Sequence, residues 1–148
     1  MPNSVQRINA WSSPRNISTA LMYAFRQRAD TTVVDEPLYA HFLKHGQTKV
    51  VHPGASAILG SQLKNGEEVL TRVLMGASST PVVFFEQLTN YLVVMDDSFL
   101  QRLDLNMLIR VPSTIIASYA KVITNPGIDC FGIKQQNYRF LKLKAMGT

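Results

Sequence analysis

Arg15, Ser18 and Thr19 are residue types that hold an oxyanion, and they fall within five positions of one another. They belong to the stretch Ser13-Pro14-Arg15-Asn16-Ile17-Ser18-Thr19, which follows a β-like run from Val5 to Trp11. After it, Leu21, Ala24, Phe25 and Arg28 fall on one side of a helix. A helix beginning near Ser18 leaves its first N–H groups unpaired and directed at the loop. The helix dipole and the fixed charge of Arg15 then favour an anion, most naturally a phosphate. An ordinary turn with a Ser/Thr helix cap is the competing reading. The stretch is not a Walker A loop, because Gly-x-x-x-x-Gly-Lys-Ser/Thr is absent and no glycine precedes Gly46.

A second pair of candidates lies in Arg110-Val111-Pro112-Ser113-Thr114-Ile115-Ile116-Ala117-Ser118. Arg110 ends a predicted strand, and Ser118 falls inside the helix that Pro112 opens. A guanidinium fork and a hydroxyl can share a phosphate, although an arginine salt bridge and a serine bonded to its own helical turn account for the same residues. His41 and His45 are four apart and share a helix face, but Phe42-Leu43-Lys44 between them lacks the glutamate of a zinc-protease helix and no third ligand is evident. They are read as surface or rim histidines, and no metal is expected. Cys130 is alone and is read as a half-buried free thiol.

Positioning these groups requires strands that end where the polar residues begin. Thr31 to Val34 reads as a second strand, followed by Asp35-Glu36-Pro37, and Leu38 to His45 as a short helix. The stretch from Val50 to Gln62 reads as a loop or lid with one helical turn, and Glu67 to Leu74 as a helix ended by Gly76. Pro81 to Phe85 reads as a third strand buried on both faces, with Glu86-Gln87 after it. Tyr91 to Met95 is left open between helix and strand. Leu105 to Arg110 reads as a fourth strand, Pro112 to Val122 as a helix and Ile133 to Met146 as a last, basic helix. The pattern predicts a single α/β domain over 1–148, a three-layer fold with a mainly parallel sheet and ligands at the carboxyl ends of the strands.

Of the net charge of +5, +4 falls after Ala120, where five Lys/Arg face only Asp129. That clustering reads as the solvated face of a late helix, with no nucleic-acid signature beside it. Polar residues interrupt the N-terminus before a signal-peptide core could form, and no run approaches a membrane span. A soluble, cytoplasmic protein with no membrane and no nucleic-acid partner is expected.

Taken together, the two phosphate-type segments resemble the sulfotransferase superfamily, whose P-loop-like fold binds 3′-phosphoadenosine 5′-phosphosulfate. The stretch from Ser13 to Thr19 is similar to the family's loop for the 5′-phosphosulfate, and Arg110 with Ser118 matches its Arg-to-Ser spacing for the 3′-phosphate. The wording Trp-Ser-Ser-Pro-Arg-Asn-Ile-Ser-Thr-Ala-Leu-Met-Tyr and Val-Asp-Glu-Pro-Leu-Tyr-Ala-His is similar to a narrower sulfotransferase-like group. In plants that group is also found fused to a branched-chain aminotransferase-like domain. The resemblance implies cofactor contacts from Ser13, Pro14, Arg15, Asn16, Ile17, Ser18, Thr19, Arg110 and Ser118, and transfer of sulfonate to a hydroxyl or amine with adenosine 3′,5′-bisphosphate as product. Glu36 is the candidate base, against a reading as a helix-capping carboxylate.

The sequence also departs from the family. Arg15 and Asn16-Ile17 replace the usual lysine and glycine, and Glu86-Gln87 stand where relatives tend to have Lys and His. The chain reads as a shortened member whose sheet lacks its last strand, leaving an edge open to self-association. A non-catalytic nucleotide-binding module, or a truncated isoform acting by association, is the alternative function. The acceptor is unknown, and its pocket is expected from the region 41–80.

Overall fold

A computed structural model describes residues 4–47 and 52–147. Within them the strands β1 (Gln6–Ser12), β2 (Thr31–Asp35), β3 (Val82–Leu88) and β4 (Asp104–Leu108) form one parallel sheet in the order β2-β3-β1-β4. The helices are α1 (Ser18–Arg26), α2 (Tyr39–His45), α3 (Ala55–Ser61), α4 (Gly66–Val69), α5 (Pro112–Tyr119) and α6 (Ile133–Ala145). The chain is therefore α/β, as expected from strands alternating with helices. Among the described residues β4 is paired on one side only.

The alternation of side chains along the strands builds the layers. On one face Ile8, Ala10, Val33 and Phe84 meet Leu21, Met22 and Phe25 of α1, and the Phe25 and Phe84 rings stack with centroids 4.1 Å apart. On the other face Trp11, Val83 and Phe85 pack with Leu38 and Phe42 around α2, Val69, Leu74, Tyr91, Phe99 and Leu143. A helix thus covers each side, and burial of these side chains supplies the main driving force for the fold.

Several elements differ from the sequence reading, each for a local reason. The strand read as ending at Phe85 runs on to Leu88, because Glu86 and Gln87 take parallel partners from β1 at Ala10 and Trp11. The loop expected over 50–62 contains the seven-residue α3, while residues 48–51 lie outside the described residues. The helix opened by Asn65, whose side chain caps the N–H groups of Glu67 and Glu68, widens into a π-turn at Leu70–Leu74. There Met75 N–H bonds to the Leu70 carbonyl, and the Arg7 guanidinium takes the carbonyls of Leu74 and Gly76. The open segment at 91–95 begins as a 3₁₀ turn, Thr89–Tyr91, and continues without regular structure. His41 is buried, with Nε2 2.7 Å from the Val93 carbonyl, whereas His45 is exposed. So the first histidine is a core residue and only the second lies at the surface.

Gly132 links α6 to the start of the chain. Its φ of +65° is left-handed, and a Cβ there would stand 3.1 Å from Pro14 Cδ. Gly132→Ala is expected to destabilise the protein by about 1 to 2 kcal/mol, from the left-handed backbone alone. Thermal unfolding checks this, and an unchanged melting temperature would show that residue 132 does not need the left-handed conformation.

Candidate functional site

The order β2-β3-β1-β4 puts β1 between strands reached in opposite directions, the position at which parallel α/β sheets open a crevice at their carboxyl ends. The loop Ser13–Ile17 leaves β1 at that point and turns directly into α1. Ser13 and Pro14 are buried, as are Asn16 and Ser18, while Arg15, Ile17 and Thr19 are exposed.

Arg15 and Ile17 both adopt left-handed backbone, with φ of 62° and 55°. For non-glycine residues this costs roughly 1 to 2 kcal/mol each, and for a β-branched residue it is an outlier. Alternation of left- and right-handed residues turns successive N–H groups toward one side, forming an anion-binding concavity. Ile17 is the N-cap of α1 and supplies no side-chain cap. Within the described residues the N–H groups of Ser18 and Thr19 have no acceptor, so they remain available at the positive end of the helix. The competing reading of a Ser/Thr cap therefore does not describe this helix.

The loop is held from several directions. Asn16 Nδ2 donates to the Leu108 carbonyl at the end of β4, and Gln136 of α6 donates to the same oxygen. Arg110 Nη1 donates to the Arg15 carbonyl at 2.7 Å, and Arg15 Nε donates to Ser118 Oγ at 3.0 Å. The structure thus brings Arg15, Arg110 and Ser118 together across more than ninety residues of sequence. Beneath the loop, Glu86 is 2% exposed and accepts hydrogen bonds from the hydroxyls of Ser12 and Ser18. The Ser18 hydroxyl faces this carboxyl, which leaves the backbone N–H as that residue's free donor.

Glu36 follows β2 with φ of 42°, and its N–H donates to the Glu86 carbonyl at 2.9 Å. Its side chain does not cap a helix: α2 begins at Tyr39 with Leu38 as N-cap and no side-chain cap. Burial pushes the Glu36 carboxyl up to about 8, and the nearby charges of Glu86 and Asp35 add to the rise. The Tyr91 hydroxyl, 3.4 Å from Glu36 Oε2, acts in the opposite direction. Burial, and then Asp35, also raise Glu86, against the lowering effect of Ser18 and Ser12. At neutral pH Glu36 carries a proton, so it is a base only once the pH passes about 8.

Sequence reasoning placed Glu86 and Gln87 beyond a strand, facing the ligand. Both are instead buried within β3, and Gln87 Nε2 reaches Asn9 Oδ1 at 3.5 Å. Their partners lie on neighbouring strands, a relation that no local pattern carries. A cleft of about 930 Å³ opens beside the 3₁₀ turn Thr89–Tyr91 and α6. It draws only Phe42 and Gln47 from the region 41–80 and is otherwise built by residues 89–93 and 122–139. Among the described residues no group of three or more His, Cys, Asp or Glu is placed to hold a metal ion, and no helix is long and apolar enough to cross a membrane.

A family model described as "Sulfotransferase domain" matches residues 6–132. Two Arabidopsis thaliana proteins are similar over 116 residues: branched-chain-amino-acid aminotransferase-like protein 1 at 40% identity and branched-chain-amino-acid aminotransferase-like protein 2 at 36%. Each match covers 78% of this chain and 20% of the relative, so the chain spans about a fifth of the length of the curated relatives it matches. No solved structure matches.

Two outcomes follow from the strained loop and the buried carboxyls. Ile17 is 69% exposed and gives up little packing, so Ile17→Gly is expected to raise stability by about 1 kcal/mol in denaturant unfolding. A loss of stability would mean that the side chain, rather than the backbone, holds this turn. Glu36 holds its proton to about pH 8 in the fold and to its ordinary carboxyl value when unfolded, so it contributes stability at low pH that is lost as the pH rises through about 8. Stability is therefore expected to fall between roughly pH 5 and 9, and to fall less in Glu36→Gln. Identical pH profiles for the two proteins would contradict the burial assigned to this carboxyl.

Proposed function

The chain belongs to the sulfotransferase domain family, and from that premise we propose that it binds 3′-phosphoadenosine 5′-phosphosulfate at the turn from β1 into α1. Arg15 and the N–H groups of Ser18 and Thr19 hold the 5′-phosphosulfate, and Arg110 with Ser118 holds the 3′-phosphate. The observation that carries this reading is the convergence of two guanidinium groups and a hydroxyl beside an open helix N-terminus. That donor set suits an oxyanion: the forks give directed, charge-assisted hydrogen bonds, and the free amides add others without a change in the fold. Ser13, Pro14 and Asn16 shape the loop from beneath through their burial and the bond to Leu108.

When bound, the phosphosulfate supplies a sulfonate whose sulfur passes from the bridging phosphate oxygen to an acceptor oxygen or nitrogen. Arg15 and the free amides orient that group and oppose the negative charge that develops on it. Glu36 takes the acceptor's proton at the carboxyl oxygen that Tyr91 leaves free. Because this carboxyl loses its own proton only near pH 8, transfer rises with pH through that value. A second reading, a module that binds the nucleotide without transfer, is favoured by one observation. Three carboxyls, Asp35, Glu36 and Glu86, interact electrostatically next to the loop and oppose further negative charge.

Binding measurements test the assignment. Arg15→Ala is expected to weaken adenosine 3′,5′-bisphosphate by about 1.5 to 3 kcal/mol, the scale of a charged hydrogen bond. Arg110→Ala is expected to reduce the preference for the bisphosphate over adenosine 5′-monophosphate, whereas Arg15→Ala weakens both ligands. Unchanged affinity in Arg15→Ala would remove the phosphate-loop assignment, and equal losses for both ligands in Arg110→Ala would make that arginine structural.

A further inference from the structure

Behind Glu36, on the side away from the turn into α1, Tyr91, Tyr39 and His52 stand in line. Tyr91 ends the 3₁₀ turn after β3, and its hydroxyl is 3.4 Å from Glu36 Oε2. Tyr39, the first residue of α2, stacks on it: the ring centroids are 4.8 Å apart and the planes differ by 5°. The Tyr39 hydroxyl in turn lies 2.9 Å from Nδ1 of His52. His52 is partly exposed, and its ring meets those of Tyr39 and Phe42 edge to face, with centroids 5.6 and 5.7 Å away. Burial, and then Glu36, raise the Tyr39 hydroxyl, while its hydrogen bond with Tyr91 acts the other way. Burial, and then Glu36, also raise Tyr91, with Tyr39 and Glu86 adding to the rise. Burial lowers His52. At neutral pH both phenols therefore keep their protons and His52 is uncharged, and the charged groups acting on Glu36 are Glu86 and Asp35.

We propose that His52 is a positioning residue for Glu36: as the acceptor that ends the line, it orients the hydroxyls of Tyr39 and Tyr91 so that the carboxyl holds its proton. The reasoning counts protons against gaps. With Glu36 protonated, every gap is filled: Glu36 donates to Tyr91, Tyr91 to Tyr39, and Tyr39 to His52 Nδ1. That arrangement uses the imidazole tautomer whose proton is on Nε2, leaving Nδ1 as the acceptor. Hydrogen bonds running in one direction strengthen one another. With Glu36 ionised, Tyr91 turns its proton to the carboxylate, and the gap between the phenols is left empty while Tyr39 still donates to His52. The complete line thus favours the protonated carboxyl, although Tyr91 by itself favours the ionised one. Where Glu36 is the base for transfer, a reading on which this consequence rests, His52 sets the pH at which the base becomes available. It does so without touching the acceptor or the nucleotide.

An NMR titration of the 148-residue chain, labelled with ¹³C at its glutamate carboxyls, tests the line without any ligand. The Glu36 signal is identified by its loss in Glu36→Gln, and its midpoint is expected near pH 8. Tyr39→Phe keeps the stacked ring and removes only the hydroxyl. That variant and His52→Ala are each expected to lower the midpoint by about one unit, the scale of one hydrogen bond. Added to Tyr39→Phe, His52→Ala is expected to change nothing further, because both act through the same bond. Tyr91→Phe is expected to raise the midpoint, since the ionised carboxyl loses its donor. Loosened packing would instead admit water and lower the midpoint in all of these variants. Midpoints unchanged in Tyr39→Phe and His52→Ala, additive shifts in the double variant, or a lowered midpoint in Tyr91→Phe would overturn the inference. Adenosine 3′,5′-bisphosphate is titrated separately by calorimetry. The expected midpoint shifts without nucleotide binding keep the line and remove the nucleotide reading, while nucleotide binding with unshifted midpoints removes the line alone.

Discussion

The buried carboxyl of Glu86 joins the two ends of the turn on which the site depends. It accepts from Ser12, the last residue of β1, and from Ser18, the first of α1. Between these anchors Arg15 and Ile17 hold left-handed backbone, an arrangement that costs roughly 2 to 4 kcal/mol in all and persists only where its surroundings over-determine it. The bonds from Asn16 to Leu108 and from Arg110 to the Arg15 carbonyl, with Gly132 packed on Pro14, provide that determination. Such bonds contribute about 1 to 3 kcal/mol each, enough to offset the strain. The consequence for function is a set of amide donors already oriented before any ligand arrives.

The same carboxyl brings a cost. Glu86 lies near Asp35 and Glu36: on top of the larger effect of burial, Asp35 raises Glu86, and both Glu86 and Asp35 raise Glu36. Each carboxyl of this group that ionises opposes an anion at the loop, and a hydroxyl donor to it offsets part of that charge. The hydroxyls of Ser12, Ser18 and Tyr91 are the donors present. On the outer side the guanidinium groups of Arg15 and Arg110 supply the positive charge, and the buried carboxyl of Glu86 lies beneath the loop. That separation explains how an arginine-rich turn can sit above three acidic residues without an ion pair between them among the described residues.

Much of this was legible in the sequence wherever local pattern and tertiary environment agree. The strand from Gln6, the helix from Ser18 and the polar residues at strand ends all carry short-range signals, and the proline at the start of α5 marks its first turn. Arg15 and Ser118 were read as separate contributors, and the fold places them 3.0 Å apart. Glu86 and Gln87 escaped the reading because two polar residues after an apolar run look like a strand end. Their burial comes from β1 on one side and β2 on the other, partners 50 to 80 positions away. The helix α3 is longer than the single helical turn expected there, because Gly54 and Gly60 interrupt a stretch with no apolar period and no buried residue. His41 was read as a surface residue, since nothing in its neighbours announces the Val93 carbonyl that holds it.

If the turn from β1 into α1 is a preformed phosphate site, a bound nucleotide will find its donors already in place. The most direct measurement is a crystal structure of the chain with adenosine 3′,5′-bisphosphate. The 5′-phosphate is expected on the N–H groups of Ser18 and Thr19 with Arg15 beside it, the 3′-phosphate within reach of Arg110 and Ser118, and the left-handed conformations of Arg15 and Ile17 unchanged. A nucleotide bound elsewhere, or bound at the turn only after Arg15 and Ile17 had left the left-handed region, would contradict it.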